Sequence, residues 1–255
     1  MRNVRLVIAL VCLSLASAAL VQAQEESKAS YSVSLNQDIF FGTYATMNGA
    51  YKAKEKLDWT YYGIFWNTPS FGTGGGGGLW TEFGSGVRFT AADGKLSFNP
   101  QLGFLSGRLL SNGQFPMAFE GLVPNIVANL NTSKAEGEFY MGYYAAIRKG
   151  QAQNQAGTGL TSVPTQNNFL HWWGNAGYKV SRTISFGLHY EALYFNPTGS
   201  VRPASADLYR WLGPYFQAAL SSQFTVRFTG GANILSRPPT DGNDSFYKLS
   251  AIYSF

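Results

Sequence analysis

Apolar and polar residues alternate with a period of two along most of this chain. The last eleven residues show it plainly. Phe255, Tyr253, Ala251, Leu249 and Tyr247 fall on one side, and Ser254, Ile252, Ser250, Lys248 and Phe246 on the other. Successive side chains of a β-strand point to opposite faces, so this period predicts a strand. The same alternation predicts strands over 31–38, 41–52, 57–66, 79–91, 96–109, 117–130, 136–148, 169–180, 184–195, 209–220, 224–234 and 245–255. The segment 117–130 is the least regular. Pro124 within it predicts a bend or a weak ladder position, because proline has no N–H to donate.

The connections alternate too. Turns near Lys54, Asp93, Thr132, Ser181 and Ser221 are short, whereas those near Thr73, Asn112, Gln155, Thr198 and Thr240 are mostly longer. The first connection falls on the long-loop side yet is itself short. Most predicted strands run to about ten to fourteen residues, beyond the five or six usual in soluble sheets and enough for a tilted membrane crossing. A strand that reaches the chain end would leave an open edge, and closing the last strand on the first removes it. The fold expected is all-β: a closed antiparallel transmembrane β-barrel of about twelve strands, within a range of ten to fourteen.

Alternation alone does not say which face is out. Composition does. Aromatics make up 16% of the chain and charged residues only 13%, about half the charged share of a typical soluble domain. The polar faces hold Gly, Ser, Asn and Thr with scattered charges, unlike a water-facing exterior rich in Lys and Glu. Trp59, Tyr178, Tyr194, Tyr253 and Phe255 stand on apolar faces near strand ends, as interfacial girdles do. Lipid is therefore expected outside, with the polar faces inward. The inward set then includes Asp58, Glu82, Arg88, Glu138, Arg148, His171, Lys179, His189, Glu191, Arg227 and Lys248 as candidate lumen-lining residues.

Residues 1–23 read as a secretory signal: Arg2 and Arg5, an apolar stretch from Leu6 to Leu15, and a cleavage site at Val21-Gln22-Ala23. The mature domain, 24–255, is one barrel. Two of the five net positive charges leave with the leader, and no basic run suggests nucleic acid. The single cysteine, Cys12, lies in the leader behind Val11, which is too large for a lipoprotein anchor.

The leader, the aromatic strands and the terminal Tyr253-Ser254-Phe255 resemble bacterial outer-membrane β-barrel proteins. The stretch from Tyr31 to Gly42, YSVSLNQDIFFG, with Tyr62-Gly-Ile-Phe-Trp66 after it, resembles the start of an uncharacterised barrel family. The resemblance implies residence in a Gram-negative outer membrane. It also implies that Tyr253 and Phe255 are the signal read by the barrel-assembly machinery.

Candidate chemistry is sparse. Gly72 to Gly77 fits G-x-G-x-x-G only because five glycines stand in a row. No Lys-Ser/Thr follows, so a flexible loop is the better reading. His171 and His189 face inward on adjacent strands, with Glu191 on the same face as His189. If Ser181 to Thr183 form the turn, His171 sits opposite Leu193 and the two histidines stand about 13 Å apart, too far to share a metal. Pairing Tyr178 with Arg182 would instead bring them opposite. The His and Ser two apart that serve outer-membrane phospholipases and deacylases are absent, since Trp173 and Glu191 follow the histidines at that spacing. Asp207, Asp241 and Asp244, in the loops where protease barrels keep paired acids, have no histidine beside them. No catalytic residue, metal set or cofactor is expected. The expectation is a passive narrow channel or small-solute-binding barrel. A surface-interaction barrel acting through loops 67–78, 150–166 and 196–207 is the alternative, and an outer-membrane enzyme comes third.

Overall fold

The computed structural model describes residues 28–67, 80–154, 156–201, 203–236 and 244–255. Twelve described strands close into one antiparallel barrel. They are β1 (Ala29–Asp38), β2 (Gly42–Lys54), β3 (Leu57–Asn67), β4 (Trp80–Ala91), β5 (Leu96–Gly107), β6 (Met117–Asn131), β7 (Ala135–Ala146), β8 (Phe169–Lys179), β9 (Ile184–Phe195), β10 (Ala206–Ala219), β11 (Phe224–Asn233) and β12 (Ser245–Ser254). Each pairs with its sequence neighbours, and β12 pairs with β1 from Ser32↔Ser254 to Asp38↔Lys248. The terminal strand is thus a stave with a partner on both sides. The leader expected at 1–23 and most of the glycine-rich loop lie outside the described residues.

The outer wall is apolar. Trp59, Phe186, Leu188 and Phe228 are each more than half exposed; of the other aromatics expected near strand ends on this face, Tyr178, Tyr194 and Tyr253 are exposed as well and Phe255 is half-buried. Such a continuous apolar wall is suited to hydrocarbon rather than water. Inside, charged and aromatic residues alternate along the same strands.

Proline acts on the ladders as its missing N–H requires. Pro124 pairs with Leu102 on β5, yet the β6–β7 register passes from Leu122 to Asn125 without it. Pro100 pairs with Ile126, and the β4–β5 register skips it. Pro214 pairs with Leu188, and the β10–β11 register skips it too.

The short first connection turns into the barrel. Ile39, Phe40 and Phe41 join β1 to β2, and Gly42 follows at φ +72°, a left-handed position that suits glycine. Asp38 caps the turn: its Oδ1 accepts hydrogen bonds from the backbone N–H groups of Phe40 (2.9 Å) and Phe41 (2.5 Å). The three turn residues pack against the buried cluster that includes Leu105, Leu110, Val123, Tyr209, Trp211 and Phe246. Longer connections at this end carry two small ribbons. One pairs Gln151–Gln153 with Leu160–Ser162, and the other pairs Thr165–Gln166 with Thr198–Gly199.

Candidate functional site

The lumen is layered. At the long-loop end lies an aromatic pile. Trp211 stacks on Tyr209 (centroids 3.9 Å apart, planes at 15°) and on Phe246 (4.8 Å, 1°). Phe40 meets Tyr209 edge-on at 4.9 Å. Across the barrel, Trp66 stacks on Trp80 at 4.1 Å, and Phe41 lies near both. Offset and edge contacts of this kind add to simple burial.

Beneath the pile sits Glu191, which has no exposed surface. The turn at 181–183 gives the register expected of it, with His171 opposite Leu193 and His189 opposite Asn175. The histidines do not meet across the ladder; both reach Glu191. His171 Nε2 lies 2.9 Å from Oε1, and His189 Nε2 lies 3.1 Å from Oε2. Tyr209 Oη donates to Oε1 at 2.8 Å, and Lys248 forms an ion pair with Oε2. His189 Nδ1 is 2.7 Å from Asn175 Oδ1. A fully buried carboxylate is costly unless paired and hydrogen-bonded, and this one is both.

One layer further in, Arg227 on β11 reaches Glu138 on β7 at 2.5 Å. Three strands separate β7 from β11 around the wall, so this pair spans the lumen. Asn175 donates to Glu138 at 2.9 Å, and Arg227 Nε donates to Gln217 at 2.9 Å. A cavity of about 750 Å³ lies on the long-loop side and one of about 700 Å³ on the short-turn side. Glu138, Asn175 and Arg227 line both. Near the short turns, Arg88 pairs with Asp58 at 2.7 Å, Lys179 binds Asn131 and the carbonyl of Thr132, and Glu136 accepts from Ser185 and Tyr215.

A separate group occupies the wall of β3, β4 and β6. Tyr62 Oη donates to Glu82 Oε1 at 2.5 Å and accepts from Asn125 Nδ2 at 2.8 Å. Glycine makes room for it. A Cβ at Gly103 would lie 2.2 Å from Tyr62 Oη and 2.8 Å from Glu82 Oε1. Gly103→Ala is therefore expected to break the Tyr62–Glu82 hydrogen bond and cost about 1–3 kcal/mol through overpacking. The check is the urea midpoint for unfolding of the refolded barrel. A midpoint equal to that of the parent protein would refute it.

Comparison with known proteins adds the family. Residues 1–255 match the model of a family of unknown function, DUF6733. The chain belongs to that family. No curated protein matches it. Among solved structures it is similar to an outer-membrane channel of Pseudomonas putida F1, with TM-score 0.56 and 8% identity over 91% of this chain and 97% of that one. It is also similar to the NanC porin, with TM-score 0.50 and 8% identity over 88% of this chain and 98% of that one. At such identity the likeness is one of fold: a closed barrel.

Of the eleven charged and histidine residues named from the sequence of this DUF6733 barrel, Glu82, Glu138, His171, His189, Glu191, Arg227 and Lys248 line the larger cavity, Arg88 and Lys179 line the smaller, and Asp58 pairs with Arg88. Arg148 is in neither lining. β7 ends at Ala146, so Arg148 falls in the following loop, exposed, where its Nη1 donates to the carbonyl of Ala118. The alternation Phe139, Met141, Tyr143, Ala145, Ile147 runs one residue past the ladder, and the period alone places Arg148 inward. The sequence reading also passed over Asp38 and Glu120. Glu120 accepts hydrogen bonds from the backbone N–H groups of Leu109, Leu110 and Ser111 and so holds the loop beyond β5. Its signal is faint: a lone acid in the least regular strand, beside Phe119 at φ +53°.

Proposed function

We propose that the protein is a passive outer-membrane conduit for small solutes, with the Arg227–Glu138 pair as its narrowest polar layer. The observation that carries this reading is that the two cavities, one toward each mouth, share that pair in their linings. A barrel filled by side chains would have no such spaces, and a wide porin would have no ion pair across its middle. An ion pair spanning water can exchange partners with a passing solute, which is how mixed-charge constrictions select. The apolar outer wall, the basic and apolar leader at 1–23 and the barrel fold shared with outer-membrane channels support placement in that membrane. Lipid is the surrounding partner. The terminal strand, where the Tyr253 and Phe255 rings meet edge-on at 4.9 Å, is the segment offered to the assembly machinery. The purified barrel in a planar bilayer is expected to show small, discrete conductance steps that vanish when the protein is unfolded. A folded barrel that inserts and stays electrically silent would overturn the proposal.

A further inference from the structure

The structure assigns a binding site for a small primary ammonium solute to Glu82 and its surroundings. Glu82 has no exposed surface, yet its Oε2 has no hydrogen-bond partner among the described residues. Its hydrogen-bond donors are neutral hydroxyls: Tyr62, 2.5 Å from Oε1, and Tyr144. No ion pair reaches it among the described residues.

The other buried acids are differently furnished. Glu191 has Lys248 and two histidines; Glu138 has Arg227; Glu120 has three backbone N–H groups. Asp38 also leaves one oxygen without a partner, but its other oxygen caps a turn, and Lys248 stands opposite it in register. Glu82 is therefore the buried carboxyl that has one oxygen without a partner and no countercharge among the described residues, and it belongs to the lining of the larger cavity.

What surrounds it specifies the partner. Asn125, linked to Glu82 through Tyr62, also leaves its Oδ1 without a donor, and it lines the same 750 Å³ cavity. Two buried acceptors without donors, one of them on a carboxyl, call for a group that donates several hydrogen bonds and carries positive charge. A primary ammonium does both. On the inward face of β4, Trp80 is the next residue toward the long-loop end, stacked with Trp66, and indole faces attract cations. Trp66 Nε1, buried and without an acceptor, adds a donor on the same cavity wall. It suits an oxygen carried a short distance from the ammonium.

The site deepens the small-solute reading above, but binding can be measured without transport. Ethanolamine, titrated calorimetrically into the folded barrel in detergent micelles at neutral pH, is expected to bind. Ethylene glycol, its neutral counterpart, is expected not to. Glu82→Gln, which keeps an acceptor for Tyr62, is expected to weaken ethanolamine roughly tenfold or more. Heat-modifiable migration on a gel reports that the variant is folded. Equal binding of ethylene glycol, undiminished binding to the folded variant, or no heat of ethanolamine binding to the parent protein would each overturn the assignment. The comparison of the two ligands on the parent protein stands even if the variant fails to fold. A silent bilayer with ethanolamine bound would sink the conduit and keep the site. Conductance without ethanolamine binding would do the reverse.

Discussion

Glu191→Ala is expected to lower the unfolding free energy of the barrel by about 3–5 kcal/mol, the cost of removing one partner from a buried charge cluster. Four side chains on four strands meet at this carboxylate: His171 on β8, His189 on β9, Tyr209 on β10 and Lys248 on β12. The substitution leaves the Lys248 ammonium deep in the lumen with its anion gone. It also takes from Tyr209, almost wholly buried, its carboxylate acceptor, leaving the longer 3.3 Å contact with His171 Nε2. Urea unfolding of the refolded barrel in micelles reads the loss. The double variant Glu191→Ala with Lys248→Met should recover part of it, because the unpaired cation is then gone as well. A single variant as stable as the parent protein would show that the cluster is hydrated and energetically idle.

Replacing Phe40 and Phe41 together by alanine is expected to raise single-channel conductance several-fold. These rings stand on the turn that Asp38 folds into the long-loop mouth. Phe40 closes on Tyr209, and Phe41 closes on Trp66, Trp80 and His171. They narrow the path above the larger cavity without belonging to the wall, so their removal widens the mouth while the twelve staves stay paired. Some stability goes with them, since truncating packed phenylalanines costs about 3–5 kcal/mol each at full burial and these two are only half-buried. The control is Phe119→Ala, which removes an aromatic ring from the exposed surface and should leave conductance unchanged. Equal currents from the parent protein and the double variant would place the resistance elsewhere, at the Arg227–Glu138 layer.

Strand limits are legible in the sequence because alternation is a local property and is strong wherever one face meets an apolar phase. The strand expected at 184–195 agrees with β9 at both ends, and the 181–183 turn sets the β8–β9 register through its length alone. Pro124 announces its ladder gap through a missing N–H, which needs no tertiary information. What crosses the lumen is another matter. Arg227 and Glu138 are 89 residues apart, and which staves face each other depends on the tilt and stagger of the closed sheet. The period places both residues inward but does not join them. The inward fold of residues 39–41 escapes for a similar reason. The connection between the strands expected at 31–38 and 41–52 reads only as short, and it is the ring cluster it meets, drawn from strands far along the chain, that sends it into the mouth. Glu82 shows the limit most sharply: its inward direction is readable, whereas the lack of a countercharge is a property of every strand around it.

The Glu191 cluster has a mechanical consequence. A ladder of hydrogen bonds alone would come apart like a zip, one stave at a time from an end. Pulled from its C-terminus, β12 cannot peel away from β1 and β11 without also tearing Lys248 from Glu191 in the interior. The tether on the last stave is thus shared with β8, β9 and β10. Under load the pairs from Ser254 to Leu249 open first, and the largest resistance comes at Lys248, where the tether must break together with the ladder.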